Sequence, residues 1–174
     1  MKNKFKILIP VIILLSLNLI GCESNPPKMS NQDTKTTLQV KTYDLIKYKD
    51  SYVGDNSSVG NIIAKLPANA YNAGFSLQTN KEPYGITINY KPNQNSDKKD
   101  YNEFWSSKNI NELLEKNAVV LLSLIQNADV IEFNVDEIGE KSYKYDKASL
   151  EQKCGGNLKN LFEDDNSFEK FLNN

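Results

Sequence analysis

The chain has 174 residues, with 21 basic and 22 acidic side chains and a formal net charge of -1. This near balance provides no basic surface for nucleic acid, so DNA and RNA binding are excluded. Histidine is absent, which excludes Ser-His-Asp and Cys-His catalysis, histidine-ligated zinc and imidazole pH switches.

The N-terminal residues have the layout of a secretory signal that ends in a cysteine. Three lysines precede an apolar stretch over residues 7–20, and Leu19-Ile20-Gly21-Cys22 follows it. A bilayer core needs about 20 apolar residues as a helix and this stretch has roughly 14, so a cleaved signal is favoured over an uncleaved anchor. The segment resembles a bacterial lipoprotein signal peptide with its lipobox. The resemblance implies that lipid is attached to Cys22 and that cleavage follows Gly21.

Three segments are predicted along the chain. Residues 1–21 are the signal peptide, and residues 22–40 are the lipidated cysteine and a polar tether that contains Pro26 and Pro27. As a flexible coil, such a tether holds a domain roughly 20 to 25 Å from the membrane. Residues 41–174 have a length that suits a single domain with a real core. The expected location is the outer face of the cytoplasmic membrane, in a Gram-positive bacterium.

The first predicted elements of the domain are a helix and a hairpin. Four apolar residues fall at helical spacing, with Asn56 or Ser57 as the expected cap and Pro67 at the end. The four are Val59, Ile62, Ile63 and Leu66. Residues 75–79 and 84–90 then alternate with period two on either side of a four-residue turn. This pattern predicts two antiparallel strands with one buried face.

The second half of the domain repeats this order around a longer helix. Residues 109–126 predict a helix, with Asn109 and Glu112 spaced as a capping box and with an apolar surface on several sides after Ala118. Residues 130–135 and 142–145 predict a second hairpin. Asp146 is the expected cap of a helix that ends near Cys154, and further helical packing is expected toward the C-terminus.

Helices placed before, between and after two hairpins predict an α+β domain. We expect two layers, with a mainly antiparallel sheet covered by the long central helix and with short helices at the C-terminus. The predicted core residues of the sheet are Ile86, Ile88, Ile131, Phe133 and Val135. Those of the helix are Leu114, Ala118, Leu121 and Ile125. The strand order does not follow from these patterns.

The densest cluster of special residues lies at residues 48–57, before the first predicted helix. Gly54 permits a turn with positive φ, and Asp55 and Asn56 place side-chain oxygens at a helix N-terminus. Free amides at such an end could receive an anion, although the chain's own side chains are expected to occupy them. The candidate interaction surface comprises Tyr48, Tyr52, Gly54, Asp55 and Asn56.

The same cluster carries a resemblance to a family. Residues 52–57, the helix that follows, residues 117–129 and residues 143–158 resemble the bacterial domain of unknown function numbered 4825. The resemblance implies an extracytoplasmic lipoprotein or an external domain of a membrane protein. Some family members resemble sensor metallopeptidases, but this chain lacks their membrane helices and zinc-binding histidines. No catalytic or ligand-binding residue is carried over from the family.

The remaining candidates have a structural interpretation that is favoured over a functional one. Asp136, Glu137 and Glu140 could ligate calcium, but they lack the spacing of a calcium loop and fit a solvated turn better. Tyrosines on the strands could bind sugars, but they fit the edge of a core better. Cys154 is expected to be a small buried residue at a helix end.

These observations predict a lipid-anchored domain that binds or senses a partner protein or an envelope ligand, such as a cell-wall polymer, without catalysing a reaction. No catalytic residue, metal ligand or cofactor is predicted. The membrane is an expected partner through the lipid anchor. Two alternatives remain open, namely an envelope hydrolase that uses carboxylates and a small-solute-binding lipoprotein, although the chain is short for a two-lobed receptor.

Overall fold

A computed structural model describes residues 42–92, 98–106, 109–136, 142–163, 167–168 and 171. The described domain is α+β with a four-stranded mixed sheet. The predicted signal peptide and tether lie outside the described residues. Among the helices that are described, none is long and apolar enough to cross a membrane.

The elements follow one another in the order α, α, β, β, α, α, β, β, α, with a short 3-10 helix after the second and after the last α-helix. The helices are α1 (Thr42–Ile46), α2 (Asn56–Ile63), α3 (Lys98–Trp105), α4 (Ile110–Leu124) and α5 (Lys147–Cys154). The strands are β1 (Asn72–Gln78), β2 (Gly85–Tyr90), β3 (Val130–Val135) and β4 (Ser142–Asp146), and the 3-10 helices are Asn69–Tyr71 and Leu158–Phe162.

The strands lie in the sheet in the order in which they occur in the chain. β1 pairs with β2 and β3 pairs with β4, and each of these pairs is antiparallel. β2 and β3, however, are parallel. The expectation of a mainly antiparallel sheet therefore needs a correction at the centre, where α3 and α4 form the crossover that parallel neighbours require.

One face of the sheet forms part of the core. Ile86 and Ile88 of β2 and Ile131 and Phe133 of β3 are at most 1% exposed. Alternate residues of these strands are only half-buried, as expected where a sheet has one packed face and one open face. The predicted core residues of the sheet are thus all buried.

The long helix α4 is buried on several sides. Every residue from Asn117 to Leu124 is buried, and α4 contacts α2, β3, β4, α5 and the 3-10 helix at Leu158–Phe162. Its predicted capping box is wrong, because the Asn109 side chain makes no capping hydrogen bond. Burial against other elements therefore contributes more to this helix than its cap does.

Helix α3 was not predicted, and it fixes the ends of the two central strands. Tyr101 and Trp105, one turn apart on α3, are buried in a cluster of aromatic rings. The Tyr101 hydroxyl lies 3.0 Å from the Tyr90 carbonyl oxygen and 3.1 Å from that of Asp136. It therefore bridges the C-terminal ends of β2 and β3.

Helix α5 begins as predicted but ends in different surroundings. The Asp146 carboxylate accepts a hydrogen bond from the Ser149 amide at 2.8 Å, and this bond lowers the pKa of the Asp146 carboxyl. Gly155 ends the helix with φ of 73°, a conformation that glycine adopts without strain. Cys154, however, is exposed, so the expectation of a buried thiol is wrong.

Candidate functional site

The candidate surface is built around the segment between α1 and α2, residues 48–55, which we call the Tyr52 loop. Two successive turns fold it. The Ser51 amide and hydroxyl donate to the Tyr48 carbonyl at 3.2 and 2.7 Å, and the Asp55 amide donates to the Tyr52 carbonyl at 2.9 Å. The positive φ in the loop, 67°, belongs to Asp50 and not to Gly54, which corrects the expectation for that glycine.

The Tyr52 loop is fixed to the chain that follows α4. The Gln126 amide donates to the Ser51 carbonyl at 2.8 Å, and the Asn127 Oδ1 accepts from the Val53 amide at 2.8 Å. A third bond of 2.8 Å joins Gln126 Nε2 to an Asp50 carboxylate oxygen. Because the Val53 side chain is also fully buried, the loop is held by polar and apolar contacts on both sides of Tyr52.

This arrangement leaves the Tyr52 side chain in solvent. Tyr52 is 55% exposed, whereas the other large hydrophobic residues in the described part of the chain are buried or half-buried. Gly54 and Asn56 beside it are exposed as well. Tyr48 is half-buried against the core, with the Lys47 ammonium 5.1 Å from its ring centroid. The site therefore presents one prominent aromatic group among small and polar neighbours.

Asp55 caps α2, and not Asn56 or Ser57 as predicted. Its carboxylate accepts hydrogen bonds from the Ser58 hydroxyl at 2.6 Å and from the Ser58 amide at 3.0 Å. These bonds, the hydroxyl bond first, lower the pKa of the Asp55 carboxyl. Because the pKa is lowered, these bonds stabilise the fold fully at pH values above the pKa that Asp55 has in the unfolded chain. Their contribution is lost as the pH falls to the pKa of Asp55 in the folded chain.

The cap also bears on whether this helix end could receive an anion, the interpretation that the sequence disfavoured. An N-terminal anion site needs free backbone amides, and the Asp55 carboxylate already engages the Ser58 amide with a negative charge of its own. The structural interpretation of this end is therefore favoured over ligand binding. The candidate site is a surface around Tyr52 rather than a pocket for an anion.

We expect Asn127→Ala to loosen the Tyr52 loop. The substitution removes the acceptor of the Val53 amide, and an unsatisfied, partly buried donor costs about 1 to 3 kcal/mol. Amide hydrogen exchange should show faster exchange at Val53. Asn111→Ala, at an exposed position of α4, is the control and should leave that rate unchanged. Equal protection of the Val53 amide in the two variants would contradict the role of Asn127.

The other predicted candidates lie elsewhere. Glu137 and Glu140 are outside the described residues, whereas Asp136 forms a surface ion pair with Lys91 at 3.3 Å. Over the described ranges, no group of three or more acidic or thiol side chains is placed to hold a metal ion. Cys22 precedes the first described residue, so its lipidation remains a prediction.

The strand tyrosines belong to the core, as expected. Tyr90 is fully buried, and burial raises the pKa of its hydroxyl well above the usual range, against a smaller opposite effect of Asn117. The side chains of Tyr84, Tyr143 and Tyr145 are partly buried against the same core. Their packing against the core favours the structural interpretation of these tyrosines over an aromatic platform for a sugar.

An open hollow of about 460 Å³ is lined by several acidic residues, the residue type that a carboxylate hydrolase uses. Asp129, Asp146 and Glu151 line it together with Lys147. Asp129, however, accepts a hydrogen bond from the Tyr84 amide at 2.9 Å, and Asp146 caps α5. Because these two carboxylates hold the backbone in place, the hollow gives little support to the hydrolase alternative.

Comparison with known proteins agrees with the earlier resemblance. The family model described as "Domain of unknown function (DUF4825)" matches residues 45–146, which extend from within α1 to the end of β4. No curated protein and no solved structure matches the chain. The family match covers more than half of the sequence, and the chain therefore belongs to the DUF4825 family.

Proposed function

We propose that this protein is a lipid-anchored extracytoplasmic domain that binds a partner protein or an envelope polymer through the Tyr52 loop, without catalysing a reaction. The observation that carries the proposal is the 55% exposure of Tyr52 on a loop that hydrogen bonds hold on both sides. Membrane attachment rests on the lipobox that ends at Cys22.

A fixed, exposed tyrosine is well suited to binding. Tyrosine is enriched among the residues that carry most of the binding energy at protein interfaces. A side chain presented by a loop that is already ordered also costs less entropy on binding than one on a loop that must fold. The turns at Ser51 and Asp55 and the bonds to Gln126 and Asn127 provide this order.

The shape of the surface favours a large partner over a small solute. Small-molecule sites are concave and bury most of the ligand. The hollows of about 460 and 220 Å³ in the described domain are lined by residues outside the Tyr52 loop. A protruding tyrosine beside Gly54 and Asn56 is better matched to a groove or a flat surface on a macromolecule.

The proposal extends to the layout of the molecule. We infer that residues 22–40 connect the lipidated cysteine to a single domain over residues 41–174, and that this domain has two layers with α4 across the sheet. The contacts of α4 with β3 and β4 support the layered arrangement. The predicted location is the outer face of the cytoplasmic membrane.

The binding role is tested by crosslinking the full chain in membranes of the producing cells and capturing it with its partners. A Tyr52→Ala variant should recover the same partner about 30-fold less efficiently, the effect of losing roughly 2 kcal/mol at a binding hot spot. Lys144→Ala, at an exposed position on β4, is the matched control. The proposal would be contradicted if the native chain, Tyr52→Ala and Lys144→Ala recovered the partner equally, or if none of them recovered a specific partner.

A second arm of the same experiment tests the anchor separately. Cys22→Ser removes the thiol to which lipid is added, so the precursor should remain unprocessed and its lipid labelling should be lost. The Cys154→Ser variant, at an exposed thiol, should behave as the native chain does. Unchanged labelling and processing of Cys22→Ser would refute lipidation while leaving the role of Tyr52 open to its own test.

A further inference from the structure

Strand β1 forms one edge of the sheet and lacks the charges and prolines that often prevent edge pairing. Within the described residues, the sheet ends at β1 on one side and at β4 on the other. The seven residues of β1 include no charged residue and no proline, whereas edge strands are commonly protected by charges, prolines, bulges or short length. β4 has five residues and contains Lys144 and Asp146.

The irregular part of β1 is confined to its beginning. The register with β2 shifts between Asn72 and Phe75, where Gly74 has φ of 118°. From Phe75 to Gln78 the register with β2 is continuous. The second half of β1 is therefore a regular edge that another strand can extend.

The side chains of this half are incompletely covered. Phe75 and Leu77 face the core side and stand in register with Ile88 and Ile86 of β2. The two isoleucines are at most 1% exposed, but Phe75 and Leu77 are only half-buried. A strand added beside β1 would bury the remaining apolar surface of these two side chains.

We propose that the occupant of this edge is β1 of a second copy of the chain, in an antiparallel arrangement about a two-fold axis at Ser76. This arrangement sets Ser76 opposite its own copy. Phe75 then lies opposite Leu77 of the second copy, twice by symmetry, so that apolar side chains pair on the core side. The result is a continuous eight-stranded sheet with a closed, isologous interface.

The chemistry of the two edges favours β1 over β4 for this contact. The same symmetric pairing of β4 about its central residue would place Lys144 opposite Lys144 of the second copy. Like charges that are directly opposed across strands are destabilising. If β1 of one copy paired with β4 of the next, the pair would still have one unpaired β1 and one unpaired β4. Further copies would add at both ends and form a filament.

The proposal is independent of the Tyr52 loop and is tested by disulfide crosslinking of the full chain in membranes. In a Cys154→Ser background, Ser76→Cys should form a covalent dimer on mild oxidation, because residues paired directly across antiparallel strands have Cα atoms about 4.5 to 5.5 Å apart. Ser142→Cys, an exposed serine on β4, is the matched control and should not. The Cys154→Ser chain without a further substitution measures any crosslinking through Cys22.

The second measurement is sedimentation of the full chain in detergent over a range of concentrations. Ser76→Lys should weaken the dimer by about fivefold, which corresponds to the upper range for one cross-strand pair, and Ser142→Lys should not. Crosslinking no faster than the control, an equal dimer in Ser76→Lys, or a preferred link between Ser76→Cys and Ser142→Cys chains would overturn the proposal. So would a link from Ser76→Cys to a different protein, which would identify a foreign strand as the occupant.

Discussion

Phe133→Ala should lower the free energy of unfolding by about 3 to 5 kcal/mol, the range for removing a large aromatic side chain from a core. Phe133 is fully buried at the centre of β3, and its ring lies 6.0 Å from those of Tyr90 and Tyr145. It is also in register with Ile88 of the parallel strand and with Tyr143 of the antiparallel one. The substitution thus opens a cavity where the two hairpins meet.

Urea unfolding followed by circular dichroism measures this loss. Tyr52→Ala is the matched control, because it removes an aromatic side chain from an exposed position and should change stability by less than about 0.5 kcal/mol. If Phe133→Ala does not fold, Phe133→Leu should still show a loss of roughly 1 kcal/mol. Equal stability of the native chain and Phe133→Leu would contradict the packing described for β3.

The parts of the fold that could be predicted from the sequence depend on local patterns. Alternation over residues 84–90 and 130–135 identifies β2 and β3, and helical spacing after residue 109 identifies α4. In contrast, the parallel pairing of β2 with β3 depends on how α3 and α4 carry the chain between them. No pattern within either hairpin contains that information, so the centre of the sheet was not predicted.

Helix α3 was missed because its sequence pattern is weak, although it has a clear structural role. Its sequence is mostly polar, and its only strongly apolar residues are Tyr101, Phe104 and Trp105. The spacing of Tyr101 and Trp105 by one helical turn is a signal that could have identified the buried side. The bonds from the Tyr101 hydroxyl to two strand ends depend on tertiary structure and were beyond sequence reasoning.

The position of the candidate site in the chain could be predicted from the sequence. The capping residue and the hydrogen bonds that hold the Tyr52 loop could not. The run of special residues from Tyr48 to Asn56 marked the correct segment for a structured turn. The cap was assigned one or two residues too late, since several neighbouring oxygens satisfy the same rule and only geometry selects Asp55. The bonds from Gln126 and Asn127 come from more than 70 positions away along the chain, where no local pattern indicates a contact with the Tyr52 loop.

The largest pH-dependent effect is expected for Asn117→Asp. Asn117 is fully buried on α4, and its amide nitrogen donates to the Pro67 carbonyl at 3.1 Å. The substitution changes shape very little but introduces a carboxyl whose charged form cannot make this bond. Burial raises the pKa of such a carboxyl, by up to 3 to 5 units for fully buried groups. The neighbouring Tyr90 hydroxyl offsets part of this rise, because it can donate to the carboxylate.

The sign of the effect follows from the two pKa values. Below the unfolded pKa of about 3.9, the carboxyl is protonated in both states, and its hydroxyl can replace the amide as the donor to Pro67. Above that pH the unfolded chain ionises first, so stability falls by about 1.4 kcal/mol per pH unit until the folded pKa is reached. We therefore expect a loss of about 3 kcal/mol at pH 7 that largely disappears at pH 4.

Urea midpoints measured from pH 4 to pH 7 distinguish this linkage from a simple packing defect. Asn111→Asp makes the same change at an exposed position in the first turn of α4, where a negative charge is favourable. Its stability relative to the native chain should not fall as the pH rises. A packing defect at Asn117 would instead reduce stability equally at every pH. A constant difference between Asn117→Asp and the native chain would mean that the new carboxyl has the same pKa in the folded and unfolded chains. That result would contradict the full burial of position 117.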